Sequence, residues 1–145
     1  MSEKVASGEV EGAATSSHVA KWGDALAMGF AVVPGALIRG QNKLGLDLVD
    51  LAVLLNIIIH WWTPGEWPYP QPRVIANRIG VSIRTVERHL ESLERRGLLV
   101  RHPAEKSPDG LARRRIELTG LVSKLEGFAR AGIAMRQEFA AGRGA

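Results

Sequence analysis

The sequence predicts a mainly α-helical domain that carries one small β-hairpin and closes with a C-terminal helix. Three observations lead there. Apolar residues recur at helical spacing in three consecutive segments, 48–61, 72–80 and 82–96. Segments 98–101 and 113–119 then read as strands, with Pro103, Pro108, Asp109 and Gly110 punctuating the loop between them. Beyond Thr119, the residues Leu121, Leu125, Phe128, Met135 and Phe139 are spaced by threes and fours, with Gly132 filling the one gap in the register. At 145 residues, 46% of them hydrophobic, the chain is the size of one compact domain.

Residues 1–17 are dominated by Gly, Ala, Ser, Glu and Thr and offer almost nothing large to bury, so they read as a disordered leader; 140–145 read the same way. From Trp22 to Gly45 the apolar sequence is broken by Gly23, Gly29, Pro34, Gly35 and Gly40, which implies short or irregular elements packed on the core. Asp47 is placed to cap a helix starting at Leu48, which must stop before Pro64 and Gly65. In the stretch WPYPQP at 67–72, three prolines remove three amide hydrogens, so it is an extended connector or a sheet edge. Pro72 suits the first position of the next helix, which runs to Gly80 with Val74, Ile75 and Ile79 as its apolar face. Ser82 caps a third helix and Gly97 ends it. Stepping 100° per residue places Ile83, Val86, Leu90 and Leu93 within about 80° of one another and Arg84, Arg88, Glu91, Ser92 and Arg95 opposite. The two strands form a hairpin with a long tip, and the helix after it is weakened by Gly127 and Gly132. The organisation expected is a leader at 1–17, a folded domain at 18–119, a C-terminal helix at 120–139 and a tail at 140–145.

Composition removes whole classes of function. The chain has no cysteine, which excludes disulfides, thiolate zinc sites and cysteine nucleophiles and agrees with a cytoplasmic location. Its longest apolar run, 51–62, contains Asn56 and His60 and falls short of the roughly 20 residues that cross a bilayer, so no membrane is expected as a partner. The first residues lack the pattern of an export signal. Net charge is +4, but between 73 and 115 eleven Lys and Arg face only five Asp and Glu, and ten of the eleven are Arg. The planar guanidinium fork suits phosphates and guanine edges, so a polyanion is the natural partner.

The run IANRIGVSIRTVERHL at 75–90, followed by LERRGLL at 93–99 and the hairpin, resembles the winged helix-turn-helix. Ala76 permits close approach of two helices, Gly80 supplies the turn, and Val81 and Val86 fill the angle between them. Together with residues 30–34, the apolar helix from Leu48 and WPYP at 67–70, the stretch is similar to the winged-helix modules of plasmid and phage replication proteins, primosomal loading proteins and small regulators of mobile elements. Gln71 stands where such modules usually carry a Ser or Thr cap, and no second domain of replication type follows the wing, which favours a regulator over a complete initiator.

The resemblance implies that the helix 82–96 enters the major groove of double-stranded DNA. Arg84 and Arg88 would read guanine, and Ser82 and Thr85 would meet a phosphate at the helix N-terminus. Arg95 is either a DNA contact or the partner of Glu91, one turn before it. Lys106 at the wing tip and Arg113 and Arg115 on the return strand would grip the backbone; strand alternation sends Arg114 to the other face, and charges that merely guard an exposed edge would look the same. The four histidines are scattered, so no metal site is expected, and no cofactor either: nothing resembles a phosphate-binding loop, a nucleophile elbow or a paired-carboxylate cleft. His60 and the tryptophans read as core, and His89 as a helix-packing residue. The chain is therefore not expected to be an enzyme. The reading is a sequence-specific DNA-binding regulator, repressor-like, with two alternatives: a replication or partition accessory using the same surface, or a winged-helix protein adaptor without DNA. A homodimer is expected, through the C-terminal helix or residues 22–46, unless that helix folds back on 51–62 within its own chain.

Overall fold

The computed structural model describes residues 17–143. The expected leader falls on residues outside the described part except for Ser17, which opens a short helix. That helix, α1 (Ser17–Trp22), continues into a 3-10 turn at Gly23–Met28, and neither buries a residue. α2 (Gly35–Arg39) is a single turn and a half whose Leu37 is fully buried, the short packed element the glycines imply.

α3 (Leu48–Ile58) starts where Asp47 caps it. The Asp47 carboxylate accepts from the Asp50 amide at 2.7 Å, and the Asp50 carboxylate accepts in return from the Asp47 amide at 3.1 Å. The helix ends at Ile58, three residues before Trp61, because residues 59–62 already turn toward Pro64. α4 (Pro72–Ile79) begins on its proline and ends at Gly80, whose φ of 74° is the left-handed conformation that closes the helix-turn-helix angle. α5 (Ile83–Arg95) carries the Ser82 cap, with Thr85 donating its amide at 3.1 Å.

The core lies where these three helices meet, with Val53, Leu54, Ile57, Ile75, Val86, Leu90 and Leu93 buried together. Ile83 does not join them. It occupies the first helical position of α5 and is about half exposed, so the core stripe of that helix begins one turn later. Two tryptophans also depart from the core reading. Trp61 and Trp67 pack with tilted rings, centroids 4.9 Å apart, but Trp22 and Trp62 stay largely exposed. His60 is exposed at the end of α3 instead of buried within it.

The hairpin has more joints than the alternating pattern implied. β1 (Val100–Arg101) pairs antiparallel with β4 (Ile116–Glu117), and β2 (Glu105–Lys106) pairs with β3 (Ala112–Arg113). Leu98 and Leu99 precede β1 as buried core residues, and the return strand is interrupted at Arg114 and Arg115. The proline connector forms no strand of either sheet; it lies beside the return strand, where the Ile116 amide donates to the Pro68 carbonyl at 3.0 Å. α6 (Thr119–Arg143) then runs unbroken through Gly127 and Gly132, and its last turn takes in residues expected to be tail. Leu121 and Leu125 bury against the core, whereas Ile133, Met135 and Phe139 remain exposed. Among the described residues no helix is long and apolar enough to cross a membrane.

Candidate nucleic-acid interface

α5 is held from both sides by ion pairs, and that anchoring decides which of its charges face outward. On the α3 side, Asp50 is 3% exposed and accepts from His89 Nδ1 at 2.7 Å and from Arg96 Nη2 at 2.8 Å. Arg96 also donates to the Gly45 carbonyl at 2.7 Å. Burial by itself would raise the Asp50 pKa. The hydrogen bonds from His89, Arg96 and the Asp47 amide, with the Arg96 charge, outweigh it and hold the carboxyl below its ordinary value. His89 is therefore a polar tether as well as a packing residue.

Asp47, Asp50 and His89 come close enough to share a metal ion. Their acceptors are already in use, however: one Asp50 oxygen faces His89, the other faces Arg96, and Asp47 caps the helix. The guanidinium supplies the cation there.

On the wing side, Arg101 donates to Glu94 at 3.2 Å and reaches Glu87 at 3.3 Å. Glu94 has a lowered pKa, chiefly because the Arg101 amide donates to it at 2.7 Å.

The remaining cations divide sharply. Arg78 lies against Asn56 and His60, Arg113 pairs with Asp109 at 2.6 Å, and Arg114 donates to the carbonyls of His102 and Arg101. Arg115 donates to the Trp67 carbonyl at 3.0 Å and lies 4.1 Å over the Tyr69 ring. By contrast, Arg73, Arg84, Arg88, Arg95 and Lys106 are exposed and make no hydrogen bond or ion pair with the described residues.

Of the residues singled out from sequence, Arg84, Arg88 and Arg95 therefore share one free stripe along α5. The Glu91–Arg95 pair is not formed. Glu91 lies free in the same stripe, where its carboxylate is chemically suited to accept from a cytosine amino group. Arg84 and Arg95 are about 16 Å apart along the helix, too far to meet the same base pair. Ser82 and Thr85 stand at the N-terminus with hydroxyls 2.9 Å apart, so one hydroxyl hydrogen is used between them and one is left to donate outward. Lys106 sits exposed on β2 of the wing. Arg113 and Arg115 both border the cleft against the proline connector, and Arg113 also borders a second cleft that includes Glu87 and Leu90 of α5.

Arg73 was missed as an individual candidate. It occupies the first turn of α4, where a helix N-terminus attracts phosphate, and its position directly after Pro72 was the available signal.

Three packed helices, a glycine turn and a two-ladder wing define a winged helix. Residues 44–99 match the family model described as a helix-turn-helix domain. Among solved structures it is similar to the N-terminal domain of DnaD protein from Geobacillus kaustophilus, at 24% identity and a TM-score of 0.56, over 85% of this chain and 97% of that one. It also matches a MepR mutant from S. aureus bound to an oligodeoxyribonucleotide, at 23% identity and a TM-score of 0.44 over 71% and 70% of the two chains. A MarR-family transcriptional regulator from a Rhodococcus species matches at 23% identity and a TM-score of 0.43, over 75% and 67%. No curated protein sequence matches significantly.

Proposed function

We propose that this chain binds double-stranded DNA with sequence preference and acts as a transcriptional regulator of the repressor type, lying over its site as a homodimer. The helix-turn-helix match supports DNA as the partner. The observation that carries the finer reading is the division of arginines: the fold occupies Arg78, Arg96, Arg101, Arg113, Arg114 and Arg115, and leaves Arg84, Arg88 and Arg95 unpaired along the exposed face of α5. Arg84 and Arg88 lie nearest the helix N-terminus and read base edges; Arg73, Arg95 and Lys106 touch phosphates.

The test is binding to genomic fragments at several salt concentrations. Arg84→Ala and Arg88→Ala each cost about 1–3 kcal/mol on the preferred fragment and little on others. Arg73→Ala weakens all fragments alike and lowers the log–log salt slope by about one. A slope near zero rejects DNA binding, and equal affinity for every fragment rejects sequence preference. Full affinity in an Arg84→Ala, Arg88→Ala double variant removes α5 as the reader, whereas a parent that binds no DNA leaves the winged fold as a protein adaptor. Whether the preferred fragment is a promoter or an origin separates regulation from a replication accessory role.

A further inference from the structure

Between the end of α3, the outer face of α4 and the return strand of the wing lies a cavity of about 670 Å³. Its wall includes Arg78, Arg113, Arg115, His60 and Tyr69, and Glu66 is the one carboxylate there. No residue of α5 lines it, so it is separate from the stripe assigned to DNA.

Three guanidinium groups from two different elements open on this one space. Arg113 has its charge met by Asp109. Arg115 is held by a backbone carbonyl and an aromatic face, and Arg78 by the Asn56 amide oxygen at 3.4 Å and His60 Nε2 at 3.0 Å. Among the described residues neither Arg78 nor Arg115 pairs with a carboxylate. Their forks are thus fixed in place with the positive charge left over, the condition in which Arg takes a phosphate bidentately at little further entropic cost. The volume lies in the range of small-molecule sites.

We propose that this cavity binds a phosphate group, with Arg78 and Arg115 as its two forks. The phosphate belongs either to a free phosphorylated small molecule such as a nucleotide or to the backbone of bound DNA; the chemistry at the forks is the same. Calorimetric titration of the full chain with inorganic pyrophosphate at low salt tests it. Saturable binding is expected, weakened at least tenfold by Arg78→Gln, which alters an exposed side chain, and by Arg115→Lys, which keeps the charge and removes the fork. The Arg84→Ala, Arg88→Ala double variant binds pyrophosphate as well as the parent, so failure of the DNA reading does not carry this one with it. If pyrophosphate displaces a labelled duplex from the parent and less effectively from Arg78→Gln, the phosphate is that of DNA. If duplex affinity is unmoved and ATP binds more tightly than pyrophosphate, it is that of a free nucleotide. Absence of saturable binding, or binding lost in the double variant and intact in Arg78→Gln, overturns the assignment.

Discussion

Arg88 and Arg96 lie two turns apart on one stretch of chain with the same charge, and only their neighbours in space distinguish them. Arg96 meets Asp50 and the Gly45 carbonyl, both far away in sequence; Arg88 meets neither. A sequence pattern places Arg88 in one stripe with Arg84 and Arg95 but does not report which neighbouring arginine a distant carboxylate will claim, and by the same token it is silent on the Trp67 carbonyl and the Tyr69 ring that hold Arg115. Glycines are easier to read, because their constraint is local. Gly80 has φ of 74° and open space where a Cβ would stand, so Gly80→Ala costs only the left-handed strain, about 1 kcal/mol net of the stiffer unfolded chain. Gly120 differs: a Cβ there would collide with the Gly97 carbonyl oxygen, part of the turn that seats α6 beneath α5. Gly120→Ala is therefore the more damaging change, by about 1–3 kcal/mol, since backbone must move to admit it. Thermal unfolding of the two variants beside the parent gives the order, and a smaller loss at Gly120 contradicts the close approach.

Elements whose limits are set by neighbouring residues were legible before the structure: Asp47 and Ser82 cap helices, Pro72 starts one, and Gly80 ends it. What stayed hidden depends on pairing across the chain. The break of the return strand at Arg114 and Arg115 follows from where Pro68, His102 and Arg101 offer acceptors, and the exposure of His60 and Trp62 follows from α3 stopping at Ile58. The link between α3 and α5 belongs to this scale too, and it makes a pH prediction. Asp50 and Glu94 both have folded-state pKa values below their ordinary ones. The unfolded chain thus takes up protons first as pH falls, so the stability these groups contribute is whole above about pH 5 and drains away below about pH 4, through the lowered folded values. Asp50→Asn removes the charge that Arg96 and His89 share. It is expected to cost about 2 kcal/mol near neutrality, tempered by the partial exposure of Arg96, and to flatten the acid limb of the stability curve. Urea midpoints of parent and variant from about pH 3 to 7 check both parts; an acid limb equally steep in the two removes Asp50 from the account.

At the scale of the molecule, α6 behaves as two helices in one. Its first turns cover the core through Leu121 and Leu125, while Met135 at 70% and Phe139 at 66% exposure extend the same stripe where the domain offers nothing to bury them. Single exposed apolar residues need no explanation, but a continued stripe does. The proposed homodimer gives it one: a single recognition helix touches only a few base pairs, and two domains joined through the ends of α6 could read half-sites one helical turn, about 34 Å, apart. Because both side chains are exposed in the monomer, the double variant Met135→Glu, Phe139→Glu should leave circular dichroism and the unfolding midpoint of a dilute sample unchanged. Light scattering at micromolar concentration should then show a dimeric parent and a monomeric variant. In DNA titrations the variant should lose the tight two-site complex and keep the weak single-domain contact. A monomeric parent refutes the dimer outright, and a variant that stays dimeric moves the interface to another set of exposed apolar residues, such as Trp22, Met28, Val32 and Trp62 on the N-terminal segment and just after α3.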